Sequence, residues 1–155
     1  MLLGLQQLSA RLMAKSVEDT AFYRFHRLLA LNEVGGVPDT PGMQPEAFHR
    51  VAARRLDHWP DTLLATATHD TKRGEDARAR LAVLSEVPEA WAAAVGAWRD
   101  MNAPLPPIHP ADEYALYQSL VGTWPPELAP DDATGLLTLG DQMEGWLTKA
   151  LREGK

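Results

Sequence analysis

The sequence predicts a mainly α-helical chain with one or two short strands. Three observations carry that expectation. Apolar residues recur at helical spacing in six separate stretches. Proline and glycine punctuate the gaps between them. One short run, LLATAT at residues 63–68, is apolar, partly β-branched and followed at once by polar residues.

The elements follow in order. Ser16 stands three residues before Asp19, a weak form of the capping box, and Phe22, Phe25, Leu28 and Leu29 follow at helical spacing, so a first helix is expected over about residues 17–31. Gly35 and Gly36 end it, and VPDTPG reads as loop. Pro45 suits the first position of a second helix, marked by Phe48, Val51, Ala52 and Leu56 and ending before Pro60. LLATAT reads as a buried strand of the parallel type, with a second strand expected near LMAK at residues 12–15. HDTKRGED comes next, then a third helix defined by Leu81, Val83 and Leu84 and broken at Pro88. EAWAAAVGAWRDM is a fourth helix with Trp91, Val95 and Trp98 on one face. NAPLPPIHP is a connector, EYALYQSLVGTW a fifth helix, PPELAPDD a turn-rich stretch, and the tail from Gly135 an amphipathic helix.

A buried parallel strand cannot stand alone, because its backbone N–H and C=O groups need partners on both sides. Two readings therefore stay open: a piece of a larger sheet protein, or a helical domain in which LLATAT is not a strand.

Composition excludes several functions. At 155 residues one domain with a real core is expected. A net charge of -6 argues against a general nucleic-acid binder, which needs a basic face. Absence of cysteine removes disulfides, thiolate catalysis and cysteine-ligated zinc. No apolar run is long enough to span a membrane, and the N-terminus lacks the basic start of a signal peptide, so a cytoplasmic location is expected. GxGxxG and P-loop patterns are absent, which leaves no nucleotide argument.

The sharpest chemical feature is the segment after LLATAT, where His69, Asp70, Lys72 and Arg73 crowd the expected end of a strand. A carboxylate beside an imidazole can bind vicinal sugar hydroxyls, the first accepting and the second donating or accepting. Nearby positive charge keeps such a carboxylate ionised. The plainer alternative is that Asp70 or Thr71 caps the next helix while Lys72 and Arg73 are solvated. A second cluster, MAKSVEDTAFYR, gathers Lys15, Glu18, Asp19, Tyr23 and Arg24, and its plainer alternative is a capped helix start with paired surface charges. Trp91 and Trp98 read as core, whereas Trp59, Trp124 and Trp146 flank proline or glycine, where a sugar could stack. His26, His49, His58 and His109 show no metal-ligand spacing, so no metal is expected.

Four blocks together resemble one family, the maltooligosyl trehalose synthases: LMAKSVEDTAFYRFHRLLALNEVGG at residues 12–36, LLATATHDTKRGEDARARLAVLSEVPEAW at 63–91, DEYALYQSLVGTWP at 112–125 and KALREGK at 149–155. Ser16 and Val37 are small departures from the family pattern. The resemblance implies an α-amylase-clan enzyme with a (β/α)8 barrel and helical insertions. Such an enzyme isomerises the reducing-end α-1,4 bond of a maltooligosaccharide to an α,α-1,1 bond by intramolecular transglucosylation, without a cofactor. It implies Asp70 as the transition-state-stabilising acid, with His69, Lys72 and Arg73 binding substrate and Lys15, Glu18 and Asp19 lining the acceptor side. The blocks that carry nucleophile and proton donor have no counterpart here, so the chain resembles an internal fragment. Residues 1–87 would belong to the barrel and 88–155 to a helical insertion. Expected partners are a maltooligosaccharide, the remainder of the parent enzyme and a second copy pairing open strand edges.

Two other classes compete on the residues alone. A small helical phosphohydrolase of the HD type would need His69 and Asp70 within a helix beside a divalent metal. A non-catalytic helical interaction module would show an exposed apolar patch and no sugar affinity.

Overall fold

A computed structural model describes residues 2–40 and 42–154. Pro41 of the expected loop and Lys155 of the expected tail lie outside the described residues. Among the described residues six α-helices form: α1 (Leu2–Met13), α2 (Pro45–His58), α3 (Glu75–Val83), α4 (Pro88–Asn102), α5 (Pro110–Thr123) and α6 (Ala133–Glu153). The chain is 63% helical, and no strand occurs among the described residues. The expectation of one or two short strands, and of a barrel piece built on them, is thereby overturned. Residues 63–65 and 67–68 form no regular structure, and Leu63 and Leu64 are 97% and 70% exposed. The physical reason is the one already given for a lone strand: without flanking strands the ladder cannot form, and water is the remaining partner for the backbone. LMAK, the second expected strand, is helical, at the junction of α1 with a π-helical turn over Ala14–Glu18. With no strand present, the strand edges expected to pair across a homodimer are also missing from the described residues.

The single helix expected over 17–31 is broken as well. After the π-helical turn come two short 3-10 turns, Ala21–Tyr23 and Leu29–Leu31. Polar side chains take the backbone partners that a continuous helix would use. Asn32 Nδ2 donates to the carbonyls of Phe22 and Phe25 at 2.9 and 2.5 Å. The Leu29 N–H, which would seek the Phe25 carbonyl, instead donates to Gln118 Oε1 at 2.8 Å. Each ring nitrogen of His26 lies 2.9 Å from a carbonyl oxygen, Ala111 on one side and Tyr23 on the other. Ser16 is no helix cap: its hydroxyl donates to the Leu12 carbonyl at 2.5 Å inside the helical run.

Local chemistry sets the other helices. Pro45, Pro88 and Pro110 each open one, where the missing N–H costs nothing. Asp132 caps α6 by accepting from Gly135 N at 3.0 Å. The core is a cluster of Leu29, Leu81, Leu84, Trp91, Ala115 and Tyr117. Here α3 lies across α5 and the second 3-10 turn, while α6 packs on α5 and the first. Gly122 permits the close crossing, since a Cβ there would stand 3.3 Å from Leu81 Cγ. Trp91 and Trp98 meet edge to face at 5.7 Å, as expected of two core residues on one helical face. By contrast α1 and α2 present Leu3, Leu8, Leu12, Phe48 and Leu56 to solvent.

Candidate functional site

Gly74, not Asp70 or Thr71, precedes α3, and it provides no side-chain cap. That frees the 69–73 segment from capping duty. Thr71 closes a tight local turn instead, its Oγ1 accepting from Thr68 N at 2.6 Å. His69 and Asp70 sit on the turn with side chains 91% and 70% exposed, and His69 Nε2 lies 3.4 Å from Asp70 Oδ2. Neither belongs to a helix, so the HD-type arrangement is not formed. Among the described residues no three His, Asp or Glu side chains converge as a metal-holding group.

A cavity of about 310 Å³ opens beside this turn. His69, Asp70, Lys72 and Arg73 line it, together with Tyr23, Trp146 and Lys149. That volume lies at the low end of the usual range for small-molecule clefts, about 300–1,000 Å³. Trp146 and Lys149 come from α6, far along the chain. Sequence reasoning weighed Trp146 only as one of three stacking candidates and missed Lys149. The one available signal was their spacing of three on a helical face.

Charges behind the turn form a chain. The Asp19 carboxylate accepts from Lys15 at 2.5 Å and from Lys72 at 3.0 Å. Those two hydrogen bonds, Lys15 first and Lys72 second, hold the Asp19 carboxyl below the ordinary carboxylate range. Burial opposes the charge on Lys72, but the Asp19 hydrogen bond and the nearby Tyr23, Asp19 and Glu18 outweigh it and raise the ammonium above its ordinary value. Lys15 is raised in turn by its own hydrogen bond to the other Asp19 oxygen. Lys72 Nζ also lies 5.5 Å from the centre of the Tyr23 ring, a cation–π approach.

Arg73 turns inward. Its guanidinium donates to the carbonyls of Leu29 and Asn32 at 3.3 and 3.4 Å. Burial lowers it from the ordinary guanidinium value, against the opposing pull of Glu33. Glu18 accepts from Gly35 N at 3.3 Å. The structure thus brings His69, Asp70, Lys72 and Arg73 to one cavity, with Lys15, Glu18 and Asp19 outside its wall. Glu33, which the sequence did not single out, accepts hydrogen bonds from the N–H groups of both Lys72 and Arg73, at 2.6 and 3.0 Å.

No family model matches the chain. Two Mycobacterium tuberculosis proteins, of strains CDC 1551 and H37Rv, carry the name maltooligosyl trehalose synthase. Each is 47% identical to it over 121 residues, 78% of this chain and 15% of the relative. A Sulfolobus tokodaii protein described as a hypothetical maltooligosyl trehalose synthase superposes with a TM-score of 0.81 at 34% identity, covering 97% of this chain and 20% of that one. A glycosyltrehalose synthase superposes with a TM-score of 0.80 at 35% identity, covering 97% of this chain and 19% of that one. The chain thus spans less than a quarter of the length of the proteins it matches.

Proposed function

We propose, from the premise that this chain is homologous to an internal segment of maltooligosyl trehalose synthases, that it supplies one wall of a maltooligosaccharide site in a trehalose-forming isomerase. The observation that carries the reading is the cavity shared by His69, Asp70, Lys72, Arg73 and Trp146. A sugar ring needs hydrogen-bonding groups at its edge and an apolar surface under its C–H face, and this cavity offers both.

In this reading the enzyme is of the α-amylase clan, works in the cytoplasm, and turns the reducing-end α-1,4 bond into an α,α-1,1 bond by intramolecular transglucosylation. Asp70 accepts from the glucosyl hydroxyls at the cleavage point, and those bonds tighten as the ring takes on oxocarbenium character. His69 binds the neighbouring hydroxyl. Lys72, kept charged by Asp19, and Arg73 flank the sugar. Lys15, Glu18 and Asp19 belong to the acceptor side, where Asp19 joins the two lysines. The retaining route needs a nucleophile and a proton donor besides the stabilising acid. Asp70 alone cannot supply them, so the isolated chain turns over nothing.

Titration with maltopentaose, followed by tryptophan fluorescence, tests the reading. Weak saturable binding that disappears in Asp70→Ala is expected. Equal affinity in parent and variant would remove Asp70 from the site. A non-reducing product formed by the pure chain would contradict the division of labour.

A further inference from the structure

Few contacts hold the 69–73 turn to the rest of the molecule. The hydrogen bonds among Thr68, Asp70 and Thr71 are all local. They shape the turn without fixing where it sits. The side chains of Lys72 and Arg73 run from the turn to Asp19 and to the carbonyls of Leu29 and Asn32. The backbone itself is held by one carboxylate. Glu33 Oε1 accepts from Lys72 N at 2.6 Å and Glu33 Oε2 from Arg73 N at 3.0 Å. Two successive N–H groups on two oxygens of one carboxylate fix both position and orientation, and charge on the acceptor makes such bonds stronger than neutral ones.

Glu33 is itself built in. Its Oε1 also accepts from Val34 N at 3.0 Å. Its carbonyl accepts from Gly36 N at 2.7 Å. The turn that aims it requires both glycines: Gly35 has φ +77°, and a Cβ on Gly36 would lie 2.7 Å from the carbonyl oxygens of Glu33 and Leu31.

We propose that Glu33 is the positioning residue of the sugar site, a clamp that grips the backbone of Lys72 and Arg73 and so presents His69 and Asp70 at the cavity mouth. The proposal rests on the reading of the cavity as a maltooligosaccharide site. Glu33 touches no substrate. It acts by sparing the ligand the cost of ordering two exposed side chains, which is worth about tenfold in affinity. Glutamine can offer only one carbonyl oxygen to the two N–H groups, so Glu33→Gln weakens the clamp and Glu33→Ala removes it.

The test uses the whole chain with two readouts. The first is amide hydrogen exchange and chemical shift of Lys72 and Arg73 by NMR, without ligand. The second is maltopentaose affinity. The expected result is loss of protection at both amides in Glu33→Ala, an intermediate effect in Glu33→Gln, and a fall of about tenfold in affinity that tracks the amides. Unchanged amides in both variants would overturn the clamp. Freed amides with unchanged affinity would overturn the positioning role alone. A parent chain that binds no maltopentaose sinks the sugar-site reading directly and takes the positioning role with it, while the amide readout still reports on the clamp.

Discussion

Gln118 offers the most demanding test of how α5 is joined to the 26–29 segment. Its side chain is fully buried on α5. Oε1 accepts from Leu29 N at 2.8 Å, and Nε2 donates to the His26 carbonyl at 2.8 Å. Replacement by leucine keeps the volume but strands one buried donor and one buried acceptor. Each stranded group costs about 1–3 kcal/mol, so Gln118→Leu should lose about 2–6 kcal/mol before any gain from the added apolar surface. At about 2–4 °C per kcal/mol for a chain of this size, the melting temperature should fall by about 4–24 °C. Gln118→Glu refines the argument. An ionised carboxylate accepts from Leu29 N but faces the His26 carbonyl with no proton, whereas a protonated carboxyl restores both bonds. Burial raises the pKa of that carboxyl in the folded state, so the native variant binds more protons than the unfolded one. Its stability relative to the parent therefore rises as pH falls toward the ordinary carboxylate range. Melting curves of parent, Gln118→Leu and Gln118→Glu between neutral and mildly acidic pH, followed by circular dichroism, provide the measurement. A Gln118→Leu curve superimposable on the parent, or a Gln118→Glu deficit that grows on acidification, would refute the bridge.

Leu81→Ala should cost about 2–5 kcal/mol, as for other fully buried leucines, because Leu81 is 1% exposed at the centre of the α3–α5 crossing. Adding Gly122→Ala should recover part of that loss, since its new methyl enters the space Leu81 vacates, and denaturant titration of the four-member cycle shows whether the two sites couple. Asp19→Asn should cost less than about 1 kcal/mol, because the Lys15 side of the bridge is well exposed and screened by solvent. The Asp19 carboxyl is held below its ordinary range by Lys15 and Lys72, so its contribution is present above the unfolded value and is lost as pH drops through the folded one. The stability difference between parent and Asp19→Asn should therefore be flat near neutrality and shrink below about pH 4; a difference that widened there would show that the bridge is not what stabilises the parent.

Much of the helical architecture could be read from residues alone. Pro45 and the apolar faces around Val51, Trp91 and Tyr117 are local signals, and the helices they mark are present. Helix α1 was not expected at all, although its signal is local; two other failures share one cause, which is dependence on distant partners. LLATAT has strand composition, yet a strand is a property of a ladder, and composition does not report whether neighbours exist. Residues 17–31 have helical spacing, yet Asn32, His26 and Gln118 capture the backbone groups a helix would use. The candidate site divides in the same way. His69, Asp70, Lys72 and Arg73 are nearly contiguous and could be found together. Trp146, Lys149 and Glu33 reach them only through the packing of α6 and the second 3-10 turn, which the order of residues does not reveal.

Leucines 63 and 64, with the apolar sides of α1 and α2, are already wet in the folded chain. Melting can add little fresh hydration there. The calorimetric heat-capacity step should accordingly fall short of the usual increment of about 12–15 cal/mol/K per residue, as though a smaller protein were unfolding. The two helices α1 and α2 and the 63–64 segment would then contribute to the mass in the cell while remaining nearly silent in the thermogram.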